Sequence, residues 1–274
     1  MIMWLASYPK SGNTWVRTIL SALEYTVDGI YNPNNLSKIE KFPSKEFFHE
    51  FTDKFHDIHE LKKFWIYSQQ KINLKNNFTY FKTHHLNCKM GNYPFTNNDN
   101  TAGCIYIIRD PRNVVTSFAN HFSTNVIEAK NTMFNVFMTG TEAPGIFELI
   151  GSWSQNYESW TKFYKNHLLI KYENLILDPE KEIIKIINYI NKFKKLEVSK
   201  EKIKNAIETT SFESLKKHEK EGNFKENITN KETDEKITFF NLGKKNKWQD
   251  ILDPSIAREI EEKFSKEMKE LGYI

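Results

Sequence analysis

The sequence predicts an α/β fold: one domain with a central parallel β-sheet flanked by helices. Residues 2–8, 104–108 and 168–172 are short apolar runs, typical of parallel strands that are covered on both faces. Segments with helical periodicity follow them, as in a βαβ architecture. The chain has 274 residues, of which 39% are hydrophobic and 27% charged, so it is long enough for a substantial core and has a globular composition.

The first half of the chain opens with a strand, a turn and a helix. After the strand at residues 2–8, a helix is predicted over residues 14–23, because apolar side chains recur there at i, i+3, i+4 and i+7. Residues 28–74 have no clear period and predict short helices and loops over the sheet. Residues 78–82 alternate and predict a short strand.

In the second half, proline-capped helices alternate with strands. Asp110-Pro111 supplies an N-cap and an N1 proline after the strand at 104–108. Residues 123–143 predict a loop, and the apolar spacing over 146–164 predicts a long helix.

The last third carries two further capped helices, after Asp178 and after Asp253. Gly272 is expected to stop the final one. Residues 216–237 are highly charged and aperiodic, which predicts a mobile loop. No repeat or linker indicates a second domain.

Composition excludes several classes of protein. The net charge of +4 comes without a dense basic run, so no nucleic-acid partner is expected. No stretch reaches 18 apolar residues and the N-terminus lacks signal-peptide features, so no membrane partner is expected. Cys88 and Cys104 have no metal-ligand spacing and are expected to be thiols in a reducing compartment. The sequence therefore predicts a cytoplasmic protein.

The segment YPKSGNTW, residues 8–15, lies between the first strand and the first helix. Backbone N–H groups and the helix dipole make such a turn an anion site. Gly12 lets the backbone approach a phosphate, Lys10 adds a charge, and Ser11 and Thr14 add hydroxyl donors. The segment is not a Walker A loop, in which the lysine follows the last glycine.

This segment resembles the 5′-phosphosulfate loop of the sulfotransferases that use 3′-phosphoadenosine-5′-phosphosulfate (PAPS), of the cytosolic type and its bacterial relatives. The resemblance implies one sulfotransferase domain over residues 1–274, with a P-loop-like nucleotide-binding core. It implies PAPS as donor, adenosine 3′,5′-bisphosphate (PAP) as product and no metal. In the family, the lysine matching Lys10 contacts the 5′-phosphate and the bridging oxygen, and the tryptophan matching Trp15 packs on the adenine. The donor-binding residues implied in this loop are Lys10, Ser11, Gly12, Asn13, Thr14 and Trp15.

A second candidate anion site combines Arg109, at a strand end, with Ser117, eight residues later. An alternative is that Arg109 pairs with Asp110. The string around these residues resembles the 3′-phosphate site of the same family, which assigns Arg109 and Ser117 to PAPS binding.

Lys82-Thr83-His84 follows the predicted strand at 78–82, where catalytic residues of α/β folds are often found. A neutral imidazole can take the proton that an acceptor hydroxyl loses. The string resembles the family's catalytic motif and makes His84 the candidate general base, with Lys10 and Lys82 stabilising charge. His85 is the rival, because a shift of one residue in strand register would exchange the two side chains.

Three further residues enter through the resemblance alone. Tyr172, Thr210 and Phe212 match the family's adenine pocket; without the resemblance, Tyr172 and Phe212 would be core residues.

The last family motif is altered. Gly243 keeps its place, but Asn241 and Leu242 stand where an Arg-Lys pair is expected. We expect Lys244 or Lys245 to compensate in part.

The sequence thus predicts transfer of a sulfonate group from PAPS to a hydroxyl or amine of a small-molecule or glycan acceptor. The alternatives are a kinase-like phosphotransferase that uses ATP and Mg²⁺, and a nucleotide-binding protein with impaired catalysis. The acceptor stays open. A homo-oligomer is compatible with the sequence.

Overall fold

A five-stranded parallel sheet, ordered β2-β3-β1-β6-β9, forms the centre of the structure. Its strands are β1 (Ile2–Ser7), β2 (Glu40–Lys41), β3 (Thr79–Thr83), β6 (Thr101–Ile108) and β9 (His167–Lys171). The computed structural model describes residues 1–142, 145–162, 166–224, 226, 228–229 and 236–274, without the side chains of 228, 229 and 244. In this part of the chain the observed architecture confirms the predicted fold class.

Helices cover both faces of this sheet. In chain order they are α1 (Asn13–Tyr25), α2 (Ile58–Leu61), α3 (Trp65–Asn73), α4 (Pro111–His121), α5 (Val126–Phe134), α6 (Trp153–Thr161), α7 (Tyr172–Leu177), α8 (Pro179–Ile190), α9 (Lys200–Thr209), α10 (Phe212–Lys220), α11 (Trp248–Ile251), α12 (Pro254–Lys263) and α13 (Ser265–Glu270). Short 3₁₀ helices lie at Pro33–Lys38, Lys45–Phe47, Lys62–Phe64 and Gly243–Lys245. Three two-residue hairpins complete the described elements: β4 (Lys89–Met90) with β5 (Tyr93–Pro94), β7 (Met138–Thr139) with β8 (Glu148–Leu149), and β10 (Ile228–Thr229) with β11 (Lys236–Ile237).

The apolar strands divide their side chains between two cores. Met3 and Leu5 of β1 pack in one core with α1 and α8, whereas Trp4 and Ala6 pack in the other with α4, α6 and α12. Because successive side chains of a strand point to opposite faces, a strand covered on both sides is expected to be mostly apolar. All six residues of β1 and all eight of β6 are buried accordingly.

Two segments near the middle of the chain differ from the sequence prediction. The predicted loop at 123–143 contains α5, which Asn125 caps by accepting a hydrogen bond from the N–H of Glu128. The predicted helix at 146–164 begins only at α6, where Ser152 and Gln155 form a capping box. Upstream of that box the chain is extended in β8. The apolar residues of this extended segment happen to be spaced like those of a helix, which made the predicted helix too long. Residues 163 and 164 lie outside the described part.

Smaller differences occur elsewhere. Strand β2 was not predicted, because two exposed residues at the sheet edge carry no apolar pattern. The last predicted helix is divided at Phe264 into α12 and α13. Of the predicted mobile loop at 216–237, the first residues belong to α10, and 225, 227 and 230–235 lie outside the described residues.

Candidate active site

The carboxyl ends of β1, β3 and β6 open into a cavity of about 650 Å³. This edge of a parallel sheet is where ligands of open α/β folds usually bind. Most of the residues predicted from the sequence line this cavity: Lys10, Gly12, Asn13, Thr14, Trp15, Lys82, His84, Arg109, Ser117, Tyr172, Phe212 and Gly243.

The start of α1 forms one end of the cavity, the end that the sequence predicts to bind an anion. Gly12 precedes the helix in a left-handed conformation (φ 101°, ψ 14°) and offers no side chain to cap it. The first turn of α1 carries no acidic residue of its own, so no side chain of the helix itself neutralises the positive end of the helix dipole. The amide of Asn13 anchors the turn to β1 by donating to the carbonyl oxygen of Leu5 at 2.8 Å and to Ser7 Oγ at 3.2 Å.

Lys10 directs its ammonium group along the cavity wall. Its Nζ lies 3.3 Å from Nδ1 of His121 and 3.9 Å from the centre of the Phe239 ring. Burial, and then the charges of Lys82 and Arg109, lower the pKa of Lys10 to about 7. An anion bound here would reverse that effect and keep the lysine charged.

His84 follows β3 and faces the cavity with one ring nitrogen already engaged. Its Nδ1 lies 2.7 Å from the carbonyl oxygen of Ser7, at the end of the neighbouring strand β1. Because a carbonyl oxygen only accepts, Nδ1 is the donor and the neutral ring has its lone pair on Nε2. Burial, and then the charge of Lys82, lower the pKa of His84 to about 3, so the ring is neutral at physiological pH.

His85 points the other way, into the core beneath the sheet. Its ring stacks on Phe95 at 4.3 Å, its Nδ1 donates to the carbonyl oxygen of Leu86 at 2.7 Å, and it does not belong to the cavity lining. The register of β3 therefore places His84, and not His85, in the cavity.

An ion pair between the buried Glu148 and the partly exposed Lys41 lies next to the backbone of His84. Glu148, 2% exposed, accepts from the backbone N–H of His84 at 3.2 Å and pairs with Lys41 at 2.7 Å. Burial alone would raise the pKa of Glu148, but the adjacent ammonium of Lys41 outweighs it and holds that pKa at about 2. Both residues line the cavity.

Arg109 directly follows β6 and is free of the alternative pairing that the sequence left open. The carboxylate of Asp110 is engaged by Arg112 at 2.6 Å. Arg109 instead packs over the Tyr172 ring at 4.3 Å and donates to the carbonyl oxygen of Lys10 at 3.3 Å. Its buried Nε has no hydrogen-bond partner among the described residues, which leaves a donor for a ligand.

An aromatic slot lies next to the start of α1. Trp15 meets Tyr172 edge-on at 5.8 Å between ring centres, and Phe212 closes against Gly243. Ile176 and Ile207 complete the apolar lining. A slot of this kind suits a flat heteroaromatic ring.

Three predicted residues are placed differently from expectation, and a fourth is not described. Ser11 is buried beneath the loop, and its hydroxyl has no partner among the described residues. Thr210 is buried with its hydroxyl donating to the carbonyl oxygen of Ala206 at 2.6 Å, so it serves its own helix and does not line the cavity. Lys245 is exposed and outside the cavity lining, because the turn at 243–245 points it to solvent. The side chain of Lys244 lies outside the described part.

Sequence reasoning missed several charged and aromatic residues of the cavity wall. They include Lys41, His121, Glu148, Glu226 and Phe239. None belongs to a motif with fixed spacing, and each reaches the site through tertiary contacts. One sequence feature could have indicated Glu226. Arg17 is a charged residue on the apolar face of α1, and a buried arginine usually pairs with a carboxylate.

Two further features concern membrane-spanning helices and metal-binding groups among the described residues. In the described part of the chain, no helix has the length and apolar composition needed to cross a membrane. Among the same residues, no group of three or more His, Cys, Asp and Glu side chains is arranged to hold a metal ion.

Solved structures of similar fold cover nearly the whole chain. The mouse sulfotransferase SULT7A1 complexed with PAP superposes with a TM-score of 0.61 at 20% identity, over 97% of this chain and 84% of its own. Retinol dehydratase in complex with androsterone and PAP gives 0.58 at 17% identity, over 98% and 80%. These similarities establish the fold.

Sequence relatives point to one family. The amine sulfotransferase of Oryctolagus cuniculus is 28% identical over 221 residues, which cover 78% of this chain and 62% of the relative. Sulfotransferase 1A1 of Bos taurus is 25% identical over 223 residues, covering 78% and 65%. The chain thus spans less than two thirds of the length of these two relatives, whereas it covers 74% of cytosolic sulfotransferase 13 of Arabidopsis thaliana, at 24% identity. The family described as sulfotransferase domain matches residues 2–272, which confirms the resemblance found in the motifs: the chain belongs to the sulfotransferase domain family.

Proposed function

We propose that the protein transfers a sulfonate group from PAPS to a hydroxyl or amine of a small molecule, with His84 as general base. The observation that carries the proposal is the hydrogen bonding of the His84 ring, which fixes its neutral tautomer. Its Nδ1 donates to Ser7, so the lone pair on Nε2 is available in a cavity that also holds Lys10 and Lys82. An acceptor needs that lone pair, because its oxygen or nitrogen must lose a proton as it attacks sulfur.

The cavity has the parts that a nucleotide with two anionic groups requires. The start of α1, with Lys10 and Thr14, suits the 5′-phosphosulfate group. Arg109, with its unpartnered Nε, and Ser117 suit the 3′-phosphate. The aromatic slot formed by Trp15 and the residues around it suits the adenine ring.

The residues of the chain would divide the work as follows. His84 takes the acceptor proton on Nε2 while the new bond to sulfur forms. Lys10 and Lys82 neutralise the negative charge that grows on the leaving phosphate oxygen as its bond to sulfur breaks. Negative charge brought by the donor offsets the charge of Lys82, which raises the pKa of His84 from its low value in the free protein.

The proposal on the acceptor draws on the relatives. One relative is named an amine sulfotransferase, and one solved structure of similar fold contains androsterone. Both support a small-molecule acceptor. A glycan acceptor, a homo-oligomer and a cytoplasmic location stay predictions.

The altered family motif bears on donor affinity. Asn241 and Leu242 line the cavity where the family has a basic pair, and neither brings a charge. One charged hydrogen bond to phosphate contributes about 1.5–3 kcal/mol, so we propose that donor binding relies mainly on Arg109, with compensation left to Lys244. A K244A variant with unchanged PAPS affinity would overturn that compensation.

The general base is tested by His84→Asn with radiolabelled PAPS and a screened acceptor. Asparagine can still donate a hydrogen bond to Ser7 but cannot take the proton. We expect kcat to fall by about 10²–10⁴-fold, the usual contribution of a general base, while PAP binding measured by calorimetry stays near that of the wild type.

Exposed His59, which is outside the cavity, gives the control substitution H59N, expected to keep wild-type turnover. Near-wild-type turnover of H84N would refute the base assignment. Calorimetry with ATP and Mg²⁺ beside PAP tests the kinase-like alternative, since the proposal requires that PAP bind more tightly.

A further inference from the structure

Glu226 occupies the anion-binding end of the cavity, although no motif places it there. Its carboxylate accepts a hydrogen bond from Thr14 Oγ1 at 3.1 Å and pairs with the guanidinium of Arg17. Thr14 and Arg17 belong to the first two turns of α1, whereas Glu226 lies more than 200 residues further along the chain. A protein carboxylate therefore sits where the positive end of α1 would attract an anionic ligand.

This carboxylate is charged and firmly held. Arg17 is 4% exposed and also donates to the carbonyl oxygen of Ile39 at 2.9 Å, so the arginine of the pair is buried and anchored, whereas the Glu226 side chain is 27% exposed. Burial alone would raise the pKa of Glu226, but the charges of Lys82 and Arg17 outweigh it and hold that pKa at about 2. At neutral pH the cavity thus contains a fixed negative charge beside Thr14.

Thr14 cannot serve Glu226 and a phosphate group at the same time. A hydroxyl has one proton to donate, and a phosphate dianion can only accept. As long as the hydroxyl donates to Glu226, it is lost to a ligand at the start of α1. The negative charge of Glu226 also opposes a second anion at this end of the cavity.

We propose that Glu226 is an intramolecular competitor of the donor's 5′-phosphate group and so sets the affinity of the protein for its donor. Binding of the donor exchanges the Thr14–Glu226 hydrogen bond for one between Thr14 and the ligand. The inference rests on the proposed PAPS-dependent function and adds to it a residue that lowers donor affinity.

A second contact in the same region agrees with this exchange. Lys10, the other predicted ligand of the 5′-phosphate, is held by His121 and by the face of the Phe239 ring. Phe239 lies only 13 residues after Glu226. Two of the predicted donor-binding side chains of the phosphate loop, Thr14 and Lys10, are thus engaged by groups of the protein itself.

The first test is calorimetric titration of PAP into the wild type and Glu226→Gln. The amide oxygen of glutamine can still accept from Arg17, but the negative charge is gone. We expect E226Q to bind PAP about tenfold more tightly, equivalent to about 1.4 kcal/mol. The matched control is E221Q, which removes the same charge from an exposed residue of this segment outside the cavity, and it should leave the PAP dissociation constant unchanged.

The second test uses Thr14→Val in both backgrounds and leaves the Arg17–Glu226 pair intact. In the wild type, Thr14 donates to Glu226 in the free protein and to the ligand in the complex. T14V removes the hydrogen bond from both states, so PAP affinity should change little. In the E226Q background Thr14 is more available to the ligand. There T14V should weaken PAP binding by a factor at least about threefold larger than in the wild-type background. Thr18→Val, one turn further in α1 and buried outside the cavity, is the control.

The outcomes separate this inference from the proposed function. If the wild type binds PAP and E226Q binds it no more tightly, the competition is wrong and the function stands. Equal effects of T14V in the two backgrounds would also overturn the competition. If neither the wild type nor E226Q binds PAP, the proposed donor is wrong and the inference fails with it.

Discussion

Single residues around the carboxyl edge of the sheet owe their chemistry to burial. His84 and His121 both have pKa values lowered to about 3, mainly by burial, and are neutral at physiological pH. Burial also lowers the pKa of Lys10, to about 7, so this lysine loses its charge near neutral pH. The free cavity therefore holds less charge than its sequence suggests, and a bound anion would restore the charge of Lys10.

This state of Lys10 predicts a pH-dependent donor affinity. The charged lysine binds the anion, and the free protein loses that charge as pH rises above about 7. PAP binding should therefore weaken between pH 7 and pH 9, by at most about tenfold per pH unit, because one proton is taken up on binding. The phosphates of PAP are fully ionised in this window, since their second pKa is about 6.

Calorimetry over this pH range measures the effect, and Lys10→Arg is the control. A guanidinium stays charged throughout, so K10R should show a much flatter dependence. Equal slopes for wild type and K10R would assign the pH dependence to another group.

The same scale shows what motifs alone could predict. The KTH motif predicted a catalytic histidine just after β3, but which of His84 and His85 lines the cavity was decided by the register of β3 against β1. Adjacent side chains of a strand face opposite ways, so a single residue decides between cavity and core.

Among the secondary-structure elements, the junction of β1 and α1 depends most strictly on one residue type, a glycine at position 12. Gly12 adopts a left-handed conformation, and a Cβ there would lie 2.5 Å from Cδ2 of Tyr172. Tyr172 in turn packs against Arg109 and Trp15. The loop, the candidate 3′-phosphate site and the aromatic slot therefore share one close contact.

Gly12→Ala should reduce both stability and donor binding. The control is Gly222→Ala, which has a positive φ of 76° but open space around its Cβ. We expect G12A to lower the free energy of unfolding by about 1–3 kcal/mol more than G222A, because it adds overpacking to backbone strain. Denaturant unfolding and PAP titration of both variants measure this, and equal losses would show that the contact with Tyr172 does not matter.

Elements with strong local signals were predicted well, and those without were not. Proline caps located the starts of α4, α8 and α12, and apolar runs located β1, β6 and β9. Helix α5 and strand β2 were missed because their residues show no clear apolar period. Helix α6 was predicted too long, since the extended segment before Ser152 also buries apolar side chains.

For the whole molecule, the donor should act as a link between distant parts of the chain. The cavity is lined by residues from Pro9 to Asn246, so a ligand in it contacts elements that are far apart in sequence. A ligand that binds only the folded state stabilises it by about 2.7 kcal/mol at one hundred times its dissociation constant.

PAP at that concentration should raise the melting temperature by about 5–10 °C, at about 2–4 °C per kcal/mol for a domain of this size. AMP at the same concentration should raise it far less, because it lacks the 3′-phosphate expected to bind Arg109. Differential scanning fluorimetry measures both shifts. Equal shifts with AMP and PAP would contradict the role of Arg109 and Ser117.

The sequence by itself determined the fold class and supplied the candidate phosphate loop, Arg109 and the KTH segment, because these depend on contiguous residues and local backbone geometry. Tertiary structure alone decided which histidine faces the cavity, that Thr210 and Lys245 stay outside its lining, and that Glu226 lies beside Thr14. Such contacts join residues from separate parts of the chain, and neither periodicity nor spacing encodes which of them meet.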